Sequence, residues 1–398
     1  MTGRADQIDT LFLTHNYPRH STDFAGRFLA RLALLLNQRG RAIGVLAPHG
    51  PGSAAEEEMD GVHVWRFRYA PDARETLAYR GDWGGVSILG DHGLWAHWRF
   101  FRSFDRATRM LLAAHRPSVV HAHWWVPAGW VARKHNRGNR LIVTLHGTDI
   151  RLLQMKPWLR LLAGRVFARA HIITTVSSWL SEFLQVTFPT AAAKVRVAPM
   201  PPEDEIFMPS ATPRSVNDPP IILCVTRFTA QKRTGDLIEA LSRLRDRGVR
   251  YRCRIVGEGG ALRGQVVQEI AGRGLTSHVE LVGSMAQDRL ADEYRNADVT
   301  VLPAVDEGFG MALVEAQLCG CAVVGVRSGG LTDIIEDGES GLLARPRDPG
   351  DLADMLARVL PDPALRQRLA EKGRASARRR FSSAAIVDRF LGWYEWPQ

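Results

Sequence analysis

The stretch Glu307-Gly308-Phe309-Gly310-Met311-Ala312-Leu313-Val314-Glu315 follows a short apolar run at 298–302 and continues through Ala316 and Leu318. An apolar run, a glycine-bearing loop and then a helical pattern read as strand, turn and helix. Glycine lets the backbone approach a ligand closely, and free N–H groups at a helix start favour phosphate. A carboxylate in the loop can accept hydrogen bonds from ligand hydroxyls, and a second lies a couple of turns along. The alternative is a helix whose acidic ends are only capping and solvated.

Outward from this segment the same alternation recurs. Strand candidates in the second half lie at 221–225, 251–256, 279–282, 298–302, 322–326 and 341–343, with helical patterns between them. In the first half they lie at 10–13, 43–47, 62–67, 119–123, 141–145, 171–176 and 195–198. One intervening helix is expected to bury Phe24, Phe28, Leu32 and Leu35, with Ser21 or Asp23 as cap and Gly40 as its end. Strand alternating with helix implies an α/β fold with mostly parallel sheets covered on both faces. The pattern breaks at a stretch holding Pro199, Pro201, Pro202, Pro209, Pro213, Pro219 and Pro220. The expected domains are therefore 1–200 and 220–380, each Rossmann-like and doubly wound, joined by a linker at 201–219. Two such domains in tandem are expected to face a central cleft.

A chain of 398 residues with 45% hydrophobic content suits two domains of ordinary size. The N-terminal residues lack a long apolar region with a small-residue cleavage site, and no apolar stretch approaches the roughly 18–20 residues of a membrane span. A cytoplasmic location is expected, with peripheral contact at the inner face of the membrane as the variant to test. The four cysteines, Cys224, Cys253, Cys319 and Cys321, form no C-x-x-C spacing and read as buried thiols in a reducing compartment. Charge is uneven: residues 1–209 hold 26 Lys+Arg against 17 Asp+Glu, and residues 210–398 hold 26 against 25. A basic first half implies an anionic partner, but no nucleic-acid-binding motif accompanies it, so no nucleic acid is expected. From Trp98 to His115, Arg99, Arg102, Arg106 and Arg109 alternate with Phe100, Phe104, Ala107, Leu111 and Ala114 at helical spacing. Such a helix either packs on the sheet or lies against an anionic bilayer.

Two glutamates separated by seven residues around an interior Gly-Phe-Gly resemble the signature of the family 4 retaining glycosyltransferases, which have the GT-B fold. The resemblance implies that Glu307 contacts the hydroxyls of a donor sugar and Glu315 holds the ribose. It also implies that the backbone at Phe309, Gly310, Met311, Ala312 and Leu313 approaches sugar and diphosphate. Val225-Thr226-Arg227-Phe228-Thr229-Ala230-Gln231-Lys232 resembles the family's diphosphate clamp, with Arg227 and Lys232 neutralising the leaving group. Leu141-Ile142-Val143-Thr144-Leu145-His146-Gly147-Thr148-Asp149 resembles its H-G-x-D element, which would put His146 against the donor sugar and Asp149 on the acceptor side or in the loop.

Gly257 and Met285 match turns beside which the family's nucleotide base sits, and Ser328-Gly329-Gly330 is either phosphate-lining or an ordinary turn. His121 and His123 form an H-x-H pair on a strand, where residues two apart share a face. No third ligand lies at a matching spacing, so no metal is expected, and the resemblance, whose members commonly carry H-x-H here without metal, implies that the pair serves packing or the acceptor side. The loop after the first strand departs from the pattern: Asn16-Tyr17-Pro18 and then Gly26 stand where many relatives have a Gly-Gly pair. Pro199-Met200-Pro201-Pro202-Glu203-Asp204 departs from P-N-G-V-D in the same way.

The resulting expectation is a retaining hexosyltransferase with no tightly bound cofactor, using a nucleotide-diphosphate sugar as co-substrate. UDP-sugar is favoured over GDP-mannose. The acceptor is a hydroxyl on a sugar, lipid-linked or small-molecule partner, in polysaccharide, glycolipid or other glycoconjugate synthesis. A GT-B phosphorylase or epimerase, or a non-catalytic nucleotide-sugar-binding protein, is the alternative. The aromatic last segment, 381–398, is expected to pack on the N-terminal domain.

Overall fold

The computed structural model describes residues 7–20, 23, 25–79, 93–135, 138–211 and 217–395. The chain divides into two compact units, Met1–Pro201 with Ile386–Gln398, and Pro202–Ala385.

Unit 1 is built on eight strands: β1 (Thr10–Leu13), β2 (Ile43–Pro48), β3 (Glu56–Met59), β4 (Val62–Phe67), β5 (Val119–His123), β6 (Arg140–Leu145), β7 (Ile172–Thr175) and β8 (Val195–Val197). Their order across the sheet is β3-β4-β2-β1-β5-β6-β7-β8. Every residue of β1, β2, β5 and β7 is buried, as expected for strands covered by helices on both faces. The pairings are parallel except that of β3 with β4. Strand β3 was not anticipated, because Glu56-Glu57-Glu58-Met59 carries no apolar alternation. It survives as a half-exposed edge, with Glu57 meeting the buried Arg66 guanidinium at 2.8 Å, and charge on an edge strand discourages further pairing.

Unit 2 has six strands: β9 (Ile221–Val225), β10 (Arg252–Val256), β11 (Val279–Gly283), β12 (Val299–Leu302), β13 (Ala322–Val326) and β14 (Leu342–Ala344). They run β11-β10-β9-β12-β13-β14, all parallel.

Both orders contain one reversal. In unit 1 the chain winds outward from β1 through β2 to β4, then returns to β5 on the other side of β1. In unit 2 it winds from β9 to β11 and returns to β12 beside β9. The loops leaving the two strands at such a reversal diverge over opposite faces and leave a crevice at their carboxyl ends. These are the loops after β1 and β5 in one unit and after β9 and β12 in the other.

Helix Arg27–Gln38 buries Leu29, Leu32, Ala33 and Leu36. At about 1.5–3 kcal/mol for each large apolar side chain removed from water, this face anchors the helix. The buried face is rotated from the expected one: Leu32 is shared, but Phe28 and Leu35 are only half-buried. Phe24 and Ser21 lie outside the described residues. Asp23 does not cap this helix; its carboxylate accepts from Arg19 Nε at 2.6 Å and from Ala25 N at 3.1 Å. Helix Gly93–His115 buries Phe100, Phe104 and Thr108, so it packs on the sheet at these positions, while Ala114 is exposed and Leu94, Trp95 and Trp98 face solvent. Among the described residues no helix is long and apolar enough to cross a membrane.

The proline-rich stretch docks on unit 2 over its described part: Arg295 donates to the carbonyls of Ile206 and Met208 at 2.7 Å each. Phe207 packs edge-on against Tyr294. Helix Ser383–Tyr394 carries its last residues onto unit 1. Tyr394 Oη meets His121 Nδ1 at 2.7 Å, and Arg39 pairs with Asp388 at 2.6 Å. Trp396 lies outside the described residues. All four cysteines are buried thiols.

Candidate functional site

In unit 2 the loops after β9 and β12 are tied together. Val305 N donates to Gln231 O at 3.0 Å, and Gln231 Nε2 donates to Asp306 O at 2.8 Å. These bonds bring Lys232 Nζ to 2.9 Å from Glu307 Oε2, with both side chains at or below one-fifth exposed. A third loop, after β13, completes the frame: Asp306 N donates to Ser328 Oγ at 2.9 Å and Gly330 N to Glu307 O at 2.8 Å. Gly329 and Gly330 lie against the main chain of Glu307, Gly308 and Phe309. The Ser-Gly-Gly turn thus supports the Glu307 loop.

Helix Met311–Leu318 starts at Gly310, which is left-handed with φ of 107°. Leu313 N already donates to Gly310 O at 2.9 Å, and the N–H groups ahead of it, with no carbonyl one turn earlier in the helix, form the helix's positive end. Met311 and Ala312 are half-buried there, whereas Leu313 is in the core. Phe309 also turns inward, its ring edge-on to Phe381 with centroids 5.2 Å apart. Only the backbone of these two can serve a ligand.

Just over one turn into the helix, Glu315 accepts a hydrogen bond from Tyr294 Oη at 3.0 Å. Burial pushes the Glu315 carboxyl up to about 7, with the Tyr294 bond opposing and the Glu203 charge adding to the rise. Arg227 is exposed just beyond β9. Gly257 follows β10 with φ of 142°, and a Cβ there would collide with the carbonyl oxygen of Thr226. Ser284 Oγ donates to Glu258 Oε2 at 2.7 Å, and Met285 beside it is half-buried.

In unit 1 the carboxyl ends of β1, β5 and β6 converge on rings. Trp124 has its centroid 4.4 Å from His15 and 4.3 Å from His146, and Phe28 lies 5.1 Å from His146. His123 Nδ1 and His146 Nε2 are 3.3 Å apart, and the His121 and His123 rings are separated by 4.1 Å. Burial depresses the basicity of all four imidazoles, to about 3 for His15 and His121 and well below the usual value for His123 and His146. Repulsion between the rings adds to this at His123 and His146. They are neutral at physiological pH, so His146 offers a ring and a neutral nitrogen rather than a cation.

Asp149 is buried and works on the loop itself. Its Oδ1 accepts from the N–H groups of His146, Gly147 and Ile150 at 3.2, 3.1 and 3.0 Å. Burial raises its carboxyl to about 6 against these bonds. Gly26 has φ of 70° and packs on the carbonyl of Asn16, where a Cβ would collide; Pro18 O accepts from Arg66 Nη2 at 2.6 Å. The loop after β1 is therefore closed by one glycine and a buried arginine.

Trp124 and Tyr294 were not singled out from the sequence, Phe28 was assigned only to the buried face of a helix, and His15 and Gln231 were read only as parts of the loops that hold them. His15 is the second residue after β1, close to the strand-end position that singled out His146, which is the first after β6. Nothing local marks Tyr294, whose partner lies 21 residues on. One group of three metal-ligating side chains occurs among the described residues, His49, Asp72 and Glu75. Arg68 sits within it, pairing with Asp72 and approaching His49 Nε2 at 3.1 Å, so a guanidinium supplies the positive charge there.

Residues 25–201 match the model of Glycosyltransferase Family 4, and residues 210–376 match that of Glycosyl transferases group 1. The D-inositol 3-phosphate glycosyltransferase of Geodermatophilus obscurus is 30% identical over 73% of this chain and 70% of its own length. The chain spans about two thirds of the length of such curated relatives. Sucrose-phosphate synthase from Thermosynechococcus elongatus shares the fold with a TM-score of 0.81 over 98% of both chains, at 21% identity. Anabaena HepE, solved with UDP and glucose, gives 0.70 over 97% of this chain and 99% of its own, at 19% identity. The chain belongs to the group 1, family 4 glycosyltransferases, and its two parallel-sheet units are those of the GT-B fold.

Proposed function

We propose that this protein transfers a hexose, with retention, from a nucleoside-diphosphate sugar to an acceptor hydroxyl, with a UDP-sugar as the favoured donor. The observation that carries the reading is the Lys232–Glu307 pair at the strand reversal of unit 2, framed by three loops and followed by a helix start. A carboxylate, an ammonium and a helix N-terminus together suit a sugar hydroxyl next to a diphosphate. Lys232, with Arg227, would neutralise the charge that grows on the leaving diphosphate. Glu307 would hold the sugar's hydroxyls, and Glu315, ordered by Tyr294, the ribose diol.

The proposed chemistry needs no separate base, because a leaving diphosphate oxygen takes the proton of the incoming hydroxyl as the glycosidic bond breaks. The UDP carried by HepE in its solved form supports the choice of nucleotide. His146, neutral and ring-packed, is proposed to position the sugar. The test is a thermal-shift screen of nucleotide sugars on the full chain, followed by product analysis with the best ligand. A rise in melting temperature with a UDP-sugar, and an α-linked product from an α-linked donor, are expected. Inversion at the anomeric carbon, or no response to any nucleotide sugar, would refute the proposal.

A further inference from the structure

Strands β5 and β6 pair in parallel with His123 opposite Thr144, so the last residue of β5 lies beside the loop that His146 opens. The two rings meet through nitrogen atoms, His123 Nδ1 and His146 Nε2, at 3.3 Å. Burial keeps both imidazoles neutral, so one of these nitrogens carries a proton and donates it to the lone pair of the other. The direction of that bond decides what His146 offers from its remaining nitrogen.

The surroundings of His123 favour one direction. Its Nε2 is buried and has no hydrogen-bond partner among the described residues, and its ring packs on those of Phe12 and His121, with centroids 4.8 and 4.1 Å away. If His146 were the donor, neutral His123 would carry its own proton on Nε2, as a buried N–H with no acceptor. With the proton on Nδ1, His123 donates to His146 Nε2, and the atom left buried is a bare lone pair. Orphaned buried N–H groups are the rarer of the two in native proteins. His146 Nε2, as the acceptor, has no proton, so the neutral ring holds its proton on Nδ1. That nitrogen has no partner among the described residues, and His146 is only half-buried, so Nδ1 is the atom left for a ligand. Trp124 limits the ring's tilt: its centroid lies 4.3 Å from that of His146, and its indole N–H donates to Thr148 Oγ1 at 3.0 Å. Trp124 itself stands at φ of 70°, a left-handed backbone that a bulky residue keeps only where its surroundings impose it.

We propose that His123 is a positioning residue that fixes His146 in its Nδ1–H form, so that His146 donates a hydrogen bond to a hydroxyl oxygen of the donor sugar and does not act as a base. The inference rests on the reading that His146 positions that sugar. It gives the second histidine of the H-x-H pair a task beyond packing, because the hydrogen bond of one ring nitrogen sets the protonation of the other.

Long-range proton–nitrogen correlation spectra of the full chain, labelled with nitrogen-15 in histidine, read the tautomer of each ring, and His146→Ala identifies the signals of His146. The native protein near neutral pH should show Nδ1–H at His146. His123→Phe keeps an aromatic ring and removes the donor. It should shift His146 away from Nδ1–H and lower turnover with a UDP-sugar by about tenfold, the scale of one neutral hydrogen bond. His123→Asn, whose side-chain amide can donate from the place of Nδ1–H, should recover the tautomer and most of the rate lost in His123→Phe. A packing role alone predicts the reverse order, with Phe tolerated and the smaller, more polar Asn harmful. Nε2–H at His146 in the native spectrum, or that reverse order, would overturn the assignment of His123. Unchanged turnover in His146→Ala would instead overturn the sugar contact on which the inference rests.

Discussion

Lys232 Nζ lies 2.9 Å from Glu307 Oε2, although 74 residues separate the two in sequence. Each charge is the other's counterion while the proposed donor site is empty, and each has a different target once a sugar diphosphate arrives. Lys232→Ala and Glu307→Ala are each expected to lower turnover by about 100-fold or more, the scale of losing a preorganised charge at a developing anion. Because the side chains touch, the double variant should lose less than the two singles combined. Steady-state rates of the four forms with one UDP-sugar make the cycle, and strict additivity would refute direct coupling.

Glu315 is the other carboxylate of the motif, and its proton behaves differently. Its native pKa is raised to about 7 from the ordinary 4.5 by burial. The folded state therefore holds the proton longer than the unfolded one. The contribution is fully present below about 4.5 and is lost as pH rises through about 7. Glu315→Gln, with nothing to ionise, should match or exceed the native melting temperature above pH 7. It should also flatten the pH dependence of UDP affinity near neutrality while weakening that affinity by roughly tenfold. A UDP affinity that is unchanged in the variant at every pH would remove Glu315 from the ribose.

The buried strands were legible because each reads as an unbroken apolar run, and the Glu307 loop because glycine, carboxylate and helix start coincide within nine residues. Strand β3 was not, since three consecutive glutamates satisfy an edge position that rewards charge. The ring cluster around Trp124 was only partly legible. His146 and His123 stood out at strand ends, but their packing against His15 and Phe28 depends on β1 and β5 being neighbours, which strand order decides. Asp149 was assigned to the acceptor side or the loop, and that its Oδ1 accepts from N–H groups of its own loop is set by side-chain direction, which no spacing encodes.

Gly26 carries the loop after β1, at φ of 70° with no room for a Cβ beside Asn16 O. Gly26→Ala adds both a left-handed strain and a collision with main chain, so a loss of about 2 kcal/mol is expected. Denaturant unfolding should show a lower midpoint with an unchanged slope. An equal midpoint would mean that the loop relaxes freely and that its closure by Arg66 and Gly26 is not needed for the fold.

The two units should respond to acid in opposite directions. In unit 1, His15 and His121 titrate near 3 in the native state, with His123 and His146 also well depressed, against an ordinary 6.5. Below about 6.5 the unfolded chain takes up protons that the folded unit refuses, so stability falls as pH drops towards 3, by about 1.4 kcal/mol per unit for each imidazole. Asp149 opposes one of these between about 6 and its ordinary 3.8, because its native carboxyl binds a proton first. Three imidazoles remain uncompensated. Unit 2 has the reverse contribution from Glu315, which gains stability as pH falls from about 7 to 4.5. All 11 tryptophans lie in the residues of unit 1, so their fluorescence follows that unit alone, whereas far-ultraviolet circular dichroism follows both. On titration from pH 7 to 4 the fluorescence transition should come first, leaving substantial helical signal, and His121→Gln should shift it to lower pH relative to its own neutral-pH stability. Coincident transitions by the two probes would show that burial of the imidazoles does not govern the acid limit.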